Sequence, residues 1–402
     1  MADLSKSEMT SLEARARRYP AKMVPKLAHQ ILDQYFEEAT TVYDPFCGSA
    51  EVLLSAASRG LKVMGSDINP YAVLLAQVRV EGFEYDSAAI LLDHVINAAS
   101  QKPESFEIAW KTKCTWFTPA VLGKLERMRY WAKYFDLPQS PEGRAALLAI
   151  TQSIRLCSRA DDRSPKPFIS KLAKERKGGL HIDPFAISRN LLVAIQSCTL
   201  PRNTTSFEIR HADAVNDNIA WDIDGPIDAV ITSPPYANAQ DYYRNSKLEL
   251  YWLEELLPFT CRQLSDRFIG TERGQLLASV SSCHLEKFRS RFEVLGDIQC
   301  KSQKGEQILL RYLVDMNKVF SKVRRLMADD GRLAVVCGDN VIAGVHVKTS
   351  IILNEIIEGA GFRKIHSFRD PILNRSLAPR RAGHLALIKE EVVSVFVCEQ
   401  TD

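Results

Sequence analysis

The spacing of apolar positions changes period along the chain, and each change predicts an element. Between Lys22 and Phe36, Leu27, Ile31 or Leu32, and Tyr35 share one face at helical spacing. Thr41 to Asp44 is short and apolar and reads as a strand; Ala50 to Arg59 returns to a helical period that Gly60 closes. Leu61 to Ser66 predicts a second strand, ending at Asp67, and Pro70 to Val80 a second helix. Strand–helix–strand–helix is the opening of an α/β fold with a parallel sheet.

That rhythm stops at about residue 84. Up to residue 200 the pattern is mostly helical, with Thr118-Pro119 as a cap and first-turn proline ahead of a stripe of Val121, Leu122, Leu125, Met128 and Ala132. Residues 159–179, poor in apolar positions and rich in Pro and Gly, read as a loop. Strand patterns resume at 206–210 and 229–231, followed by a long helix over 241–256. The polar stretch 258–304 has no readable period. Helices follow at 307–327 and 351–359, and strands at 332–337, 362–368, 384–388 and 392–397. The last two lie too close for a crossover and are expected to be antiparallel neighbours.

Charge adds a second division. The net charge is only +3, yet residues 110–180 hold 15 Lys/Arg against 6 Asp/Glu and residues 363–389 hold 7 against 1. Two basic regions in an otherwise acidic chain suit a nucleic-acid binder. In the first, Lys111, Lys113, Arg127 and Arg129 interleave with Trp110, Trp116, Tyr130, Trp131 and Tyr134; in the second stand Arg375, Arg380 and Arg381. They are the candidate nucleic-acid contacts. Nine cysteines with no CxxC pair predict reduced thiols and no metal site. No apolar run reaches membrane-spanning length and the N-terminus has no secretion signal, so a cytoplasmic, nucleoid-associated protein with no membrane partner is expected.

The chemistry gathers at strand ends. Asp44-Pro-Phe-Cys-Gly-Ser49 is a strand-to-helix turn whose Gly48 lets backbone approach a ligand, and Asp67, 19 residues past it, can accept from a ribose diol. A pyrophosphate would need more glycines and N–H groups than Gly48 supplies, so a nucleoside without phosphates fits better, and S-adenosylmethionine is the commonest such cofactor. Thr232-Ser-Pro-Pro-Tyr236 follows a further apolar strand. An exocyclic amine on a nucleobase is a poor nucleophile, because its lone pair is delocalised into the ring. The Ser233 hydroxyl and the Pro234 carbonyl can grip its two hydrogens and turn the lone pair outward, with Pro235 stiffening the loop and Tyr236 stacking on a flipped base.

Together these residues resemble the amino-methyltransferase family of DNA methylases, which modify cytosine N4 or adenine N6. Tyr19 to Lys22 is similar to the family's N-terminal motif, Asp44 to Ser49 to its cofactor loop, Ser66 to Pro70 to its ribose-binding strand end, and Ser233 to Arg244 to its catalytic loop. The resemblance implies cofactor contacts from Lys22, Asp44, Phe46, Gly48, Ser49, Asp67 and Ile68, and from Asp213 to the adenine amino group. It departs from the family at Ala50, where a glycine is usual and a methyl could crowd the turn or the cofactor. Ser ahead of Pro-Pro-Tyr goes with cytosine N4 in this family, and Asp or Asn more often with adenine N6.

The expected architecture is a class I S-adenosylmethionine-dependent methyltransferase fold, Rossmann-like, with a mostly parallel seven-stranded sheet. Residues 1–82 and 205–402 form the catalytic domain; a helical insertion over 83–204 reads the target, with 258–304 as the competing region. DNA is the expected partner, and the family allows a cognate restriction endonuclease as well. Two rivals stand: an RNA base amino-methyltransferase, for whose usual leading RNA-binding domain the stretch before Asp44 leaves no room, and a binding module inactivated at Ala50.

Overall fold

Five strands, β1 (Thr41–Asp44), β2 (Lys62–Asp67), β3 (Phe207–His211), β4 (Ile227–Thr232) and β5 (Met327–Cys337), run parallel through the molecule. This is a computed structural model that describes residues 6–16, 19, 23–161, 164, 166–171, 173, 175, 182–219, 221, 225–237, 241–270, 282–372 and 390–399. A hairpin of β6 (Asn340–Ile342) and β7 (Val345–Val347) stands apart, and β8 (Phe362–Pro371) and β9 (Glu390–Cys398) complete the main sheet. Its order is β3-β2-β1-β4-β5-β9-β8, with β9 antiparallel to both its neighbours. The chain works outward from β1 to β3 on one side and then returns to lay β4 and β5 on the other. The topological switch, where ligands bind in such sheets, therefore lies between β1 and β4. This strand order with one reversed strand is the class I methyltransferase fold.

Both faces of the sheet are covered, which is why its strands read as continuous apolar runs. Tyr43, Val230, Leu333 and Val335 face the long helix Gln303–Leu326 and the helix Thr349–Glu358. Their neighbours Val42, Ala229, Ile231, Ala334 and Val336 face helices Pro25–Tyr35 and Glu51–Ala57. Five helices begin with proline in the first turn, at Pro25, Pro70, Pro119, Pro141 and Pro184, where its missing N–H costs nothing.

The helices between residues 85 and 196 share a hydrophobic cluster with Leu74, Leu75 and Val78 of helix Pro70–Glu81 and with residues 243–268. Helix Pro70–Glu81 turns its other side, Val73, Ala76 and Val80, to the sheet. One element thus ties the helical region to the strands.

Four expectations need correction. The helix expected over 241–256 is two, Tyr242–Asn245 and Lys247–Leu253, broken at Ser246, whose hydroxyl accepts from Asn69 Nδ2 at 3.1 Å. The antiparallel partners of 390–398 are β5 and β8, long strands that bring non-local pairing a spacing argument cannot see; the expected strand at 384–388 lies outside the described residues. The helix after β1 starts at Glu51, because Ala50 takes the left-handed conformation with φ 66°.

The fourth concerns Arg129, expected on a DNA-binding face. It is 1% exposed, and its guanidinium donates to the carbonyls of Trp252, Glu107 and Glu254 while lying 3.9 Å over the Phe106 ring. It closes the end of helix Lys247–Leu253 against helix Pro119–Tyr134. Replacing Arg129 by Ala should cost about 3 kcal/mol, since several charge-assisted bonds go and the carbonyls stay buried. Lys111→Ala, at an exposed position, should stay within about 0.5 kcal/mol of wild type. Denaturant unfolding of both variants measures the contrast.

Candidate active site

The strand ends at the switch converge on one cleft of about 800 Å³, its open mouth included, within the usual range for a small-molecule site. Asp44 ends β1, Asp67 ends β2, Asp213 stands two residues beyond β3 and Ser233 directly follows β4. All four line the cleft, together with Phe46, Gly48, Ser49, Ile68 and Pro235. Residues scattered over nearly 200 positions meet because each parallel strand delivers its last side chain to the same edge.

The two carboxylates at the centre are held by donors from below. Asp44 Oδ1 accepts from the Thr232 hydroxyl at 2.7 Å and the Phe46 N–H at 3.0 Å. Asp67 accepts from the Gly48 N–H at 3.0 Å on one oxygen and the Asn69 N–H at 2.8 Å on the other. Each Asp67 oxygen keeps a lone pair, which is what a vicinal diol requires. Burial raises Asp44 to about 7, partly offset by the Thr232 and Phe46 bonds and reinforced by the charge of Asp67; burial likewise raises Asp67 to about 6. Among the described residues no lysine or arginine pairs with either. A cationic nucleoside would supply the missing positive charge.

The loop around Gly48 is tightly specified. Gly48 has φ 49°, and a Cβ there would meet the Tyr19 ring at 3.0 Å, so both conformation and space demand glycine. Tyr19 in turn lies beside Asn69, whose Nδ2 donates to its hydroxyl at 3.4 Å. Below the loop, the Arg79 guanidinium pairs with Glu51 at 3.0 Å and donates to the Ser49 carbonyl, both partners buried. The Ala50 methyl points into the core behind β1 and is absent from the cleft lining. Its departure from glycine therefore costs backbone strain and leaves the ligand space open.

Some sequence-derived roles change here. Asp213 lies in the cleft, but its oxygens accept from the Val215 N–H at 2.9 Å, Asn216 Nδ2 at 2.8 Å and Arg267 Nε at 3.1 Å. Its acceptor capacity is largely used within the protein. Tyr236 is not among the residues that line the cleft: it is 7% exposed, belongs to the apolar cluster that holds Tyr43, Ile269 and Leu309, and its hydroxyl donates to Glu391 and also meets the Ser233 side chain. Lys113 is held by Glu107 at 2.6 Å and Glu126 at 2.8 Å, and Arg127 Nε donates to the Ala99 carbonyl at 2.6 Å, so with the buried Arg129 they form no common basic face. Trp110 and Trp131 are core, whereas Tyr134 is exposed. Lys22, Arg375, Arg380 and Arg381 lie outside the described residues.

Sequence reasoning missed Met23, Glu51, Tyr242 and the run Arg267-Phe268-Ile269, which line the cleft. Tyr242 had a signal, six residues beyond Tyr236 in the same loop. Arg267 to Ile269 had none, since their stretch carries no period and meets the cleft only through tertiary packing.

Two outcomes test this geometry. A buried carboxyl raised from the ordinary 3.8 to about 7 binds its proton more tightly folded than unfolded. Folded stability therefore falls as pH rises from about 4 to about 7. Asp44→Asn keeps the Thr232 and Phe46 bonds without the charge. Its melting temperature without ligand should exceed wild type at pH 8, with the gap closing near pH 4, in paired thermal scans. Ala50→Gly should leave calorimetric affinity for S-adenosylmethionine within about threefold, an energy of less than about 0.7 kcal/mol; a larger change would put the methyl in contact with the cofactor.

Comparison with known proteins points the same way. The model of the D12 class N6 adenine-specific DNA methyltransferase family matches residues 25–106. The Type II methyltransferase M.MvaI of Kocuria varians is 23% identical over 409 residues, covering 92% of this chain and 86% of its own. The Type II methyltransferase M.BsoBI of Geobacillus stearothermophilus is 23% identical over 434 residues, covering 92% and 83%. Among solved structures, a SAM-dependent methyltransferase from Methanosarcina mazei is similar at 10% identity and a TM-score of 0.34, covering 96% of this chain and 99% of that one. So low a score adds nothing to the fold, which rests on the strand order. With its strand ends converging on one nucleoside-sized cleft, the chain is similar over most of its length to two Type II methyltransferases and, over residues 25–106, to the D12 class N6 adenine-specific DNA methyltransferase family.

Proposed function

We propose that the protein transfers a methyl group from S-adenosylmethionine to the exocyclic amine of a base in DNA, and that the base is cytosine, at N4. One observation carries this reading: Ser233 and Pro235 line the same cleft as Asp44, Gly48 and Asp67. The cofactor-binding strand ends and the target-amine loop thus address a single space. The residues fit the cofactor, because Asp67 offers outward lone pairs to a diol and the buried Asp44–Asp67 pair has no cation of its own among the described residues.

Bound there, the cofactor supplies an electrophilic methyl on a sulfonium. The protein's share is to hold the nucleophile. Ser233 Oγ and the Pro234 carbonyl accept from the two amine hydrogens, so that the nitrogen lone pair points along the line of transfer. Once methylated, the nitrogen carries the positive charge and gives one proton to water at the open mouth of the cleft. Ser233 holds the amine without taking that proton, and no bond forms between base and enzyme. Positioning of this kind supplies most of the rate in such reactions.

Cytosine is favoured by the serine, a neutral acceptor where a carboxylate or carboxamide is more usual for adenine. Adenine N6 is the second reading, favoured by the adenine-specific family model. That match ends at residue 106, however, and so spans the cofactor loop and not the loop at Ser233. Residues 83–204 are proposed to read the flanking sequence from their exposed surface, where Lys111 and Tyr134 stand. The DNA methyltransferase family model supports DNA as the partner, and a cognate endonuclease is proposed only by analogy. No described helix is long and apolar enough to cross a membrane.

DNA from cells expressing the protein, digested to nucleosides and analysed by mass spectrometry, should contain N4-methylcytosine. N6-methyladenine in its place would transfer the proposal to adenine, and neither product would refute DNA methylation. Ser233→Ala should cut turnover about a hundredfold with cofactor affinity unchanged, as loss of an oriented polar contact does.

A further inference from the structure

The catalytic loop is fastened at two points by elements far away in sequence and at a third from within itself. The Tyr236 hydroxyl donates to the Glu391 carboxylate on β9. One residue on, the Ala237 carbonyl accepts from Asn340 Nδ2 on β6, whose Oδ1 accepts from the Thr349 hydroxyl at 3.1 Å. The Tyr242 hydroxyl meets the Tyr236 backbone from the cleft side. The Tyr236 ring is buried in the apolar cluster that also holds Ile269 and Leu309, and its hydroxyl meets the Ser233 side chain as well as Glu391.

The topology explains how Glu391 gets there. Because β9 runs against the parallel strands, it begins where they end. Cys337, the last residue of β5, pairs with Val392, which places Glu391 at the carboxyl edge of the sheet beside the loop that leaves β4. A strand in the common direction would bring its last residue there instead.

We infer that Glu391 is a positioning residue for the target-amine loop, and that the Tyr236 hydroxyl is the buried anchor through which it acts. Asn340 fixes the other side of the same turn. The Ser233 and Pro234 acceptors sit two to four residues from these two bonds. Freedom at Tyr236 would let them wander by the ångström that positioning catalysis cannot tolerate. This inference rests on the proposed reading of the Ser233 loop.

Three variants and one double variant test it: Tyr236→Phe, Glu391→Ala, Glu391→Gln and Tyr236→Phe/Glu391→Ala, assayed on methyl-accepting DNA with kcat and KM separated. Tyr236→Phe keeps the aromatic face and loses only the hydroxyl, so a stacking role predicts wild-type activity. The anchoring role predicts a kcat about tenfold lower, with KM for DNA and calorimetric affinity for S-adenosylmethionine unchanged. Glu391→Ala should match it, Glu391→Gln should recover most of the loss by accepting the same bond, and the double variant should be no worse than either single one. Full activity in Tyr236→Phe, additive losses, or no recovery in Glu391→Gln would overturn the inference. Ser233→Ala is the control that separates the two ideas: if it stays active, the loop reading has failed, whereas an inactive Ser233→Ala beside an active Glu391→Ala refutes only the anchor.

Discussion

Two carboxylates buried side by side set the terms for the rest of the molecule. Asp44 and Asp67 close adjacent parallel strands, and burial makes ionisation of either unfavourable. The fold meets this partly with donors: a threonine hydroxyl from β4 and three backbone N–H groups from the turns around Gly48 and Asn69. What remains is a concentration of negative potential in a cleft with apolar walls. Such a site is destabilising when empty and selective when a cation enters it. The left-handed turn at Gly48, the Tyr19 ring laid on it and the Arg79–Glu51 pair beneath all serve to hold those N–H groups in place.

The same edge of the sheet carries the target loop, and here the reversed strand matters. Parallel strands bring the ends of β1, β2, β3 and β4 together, but only an antiparallel strand can bring a beginning to that edge. In this chain β9 does so with Glu391, and the β6–β7 hairpin adds Asn340. The loop proposed to grip the amine is thereby tied to the far side of the sheet. Charge follows a similar logic in the helical region. Much of its basic excess is spent internally, with Arg129 on carbonyls, Lys113 on two glutamates and Arg144 on Glu81. Composition counts those charges as if they faced solvent.

The sequence by itself determined the α/β order, the strand ends and the residue types that both loops present there. Short buried strands between capped helices have a period that survives without context. Gly48, Asp67 and Ser233 carry requirements of conformation and hydrogen bonding that are local to their own turns. The family resemblance was legible for the same reason, since its motifs are contiguous runs. The Ala50 departure was visible too, but not its consequence, because only the fold shows the methyl turned into the core.

Tertiary structure alone decided which charges are free, where Tyr236 points and what completes the cleft. Arg129 looks in sequence like a DNA contact, yet the carbonyls of a distant helix end claim it, and no spacing says that the Tyr236 hydroxyl will meet Glu391. Asp213 is drawn in part to Arg267, 54 positions away, and Ser246 breaks a helix to meet Asn69. The physical reason is common to all of them. A hydrogen bond's partner is set by proximity in space, and a polar side chain's spacing along the chain records only that it can bond, not what it will find when the strands have paired.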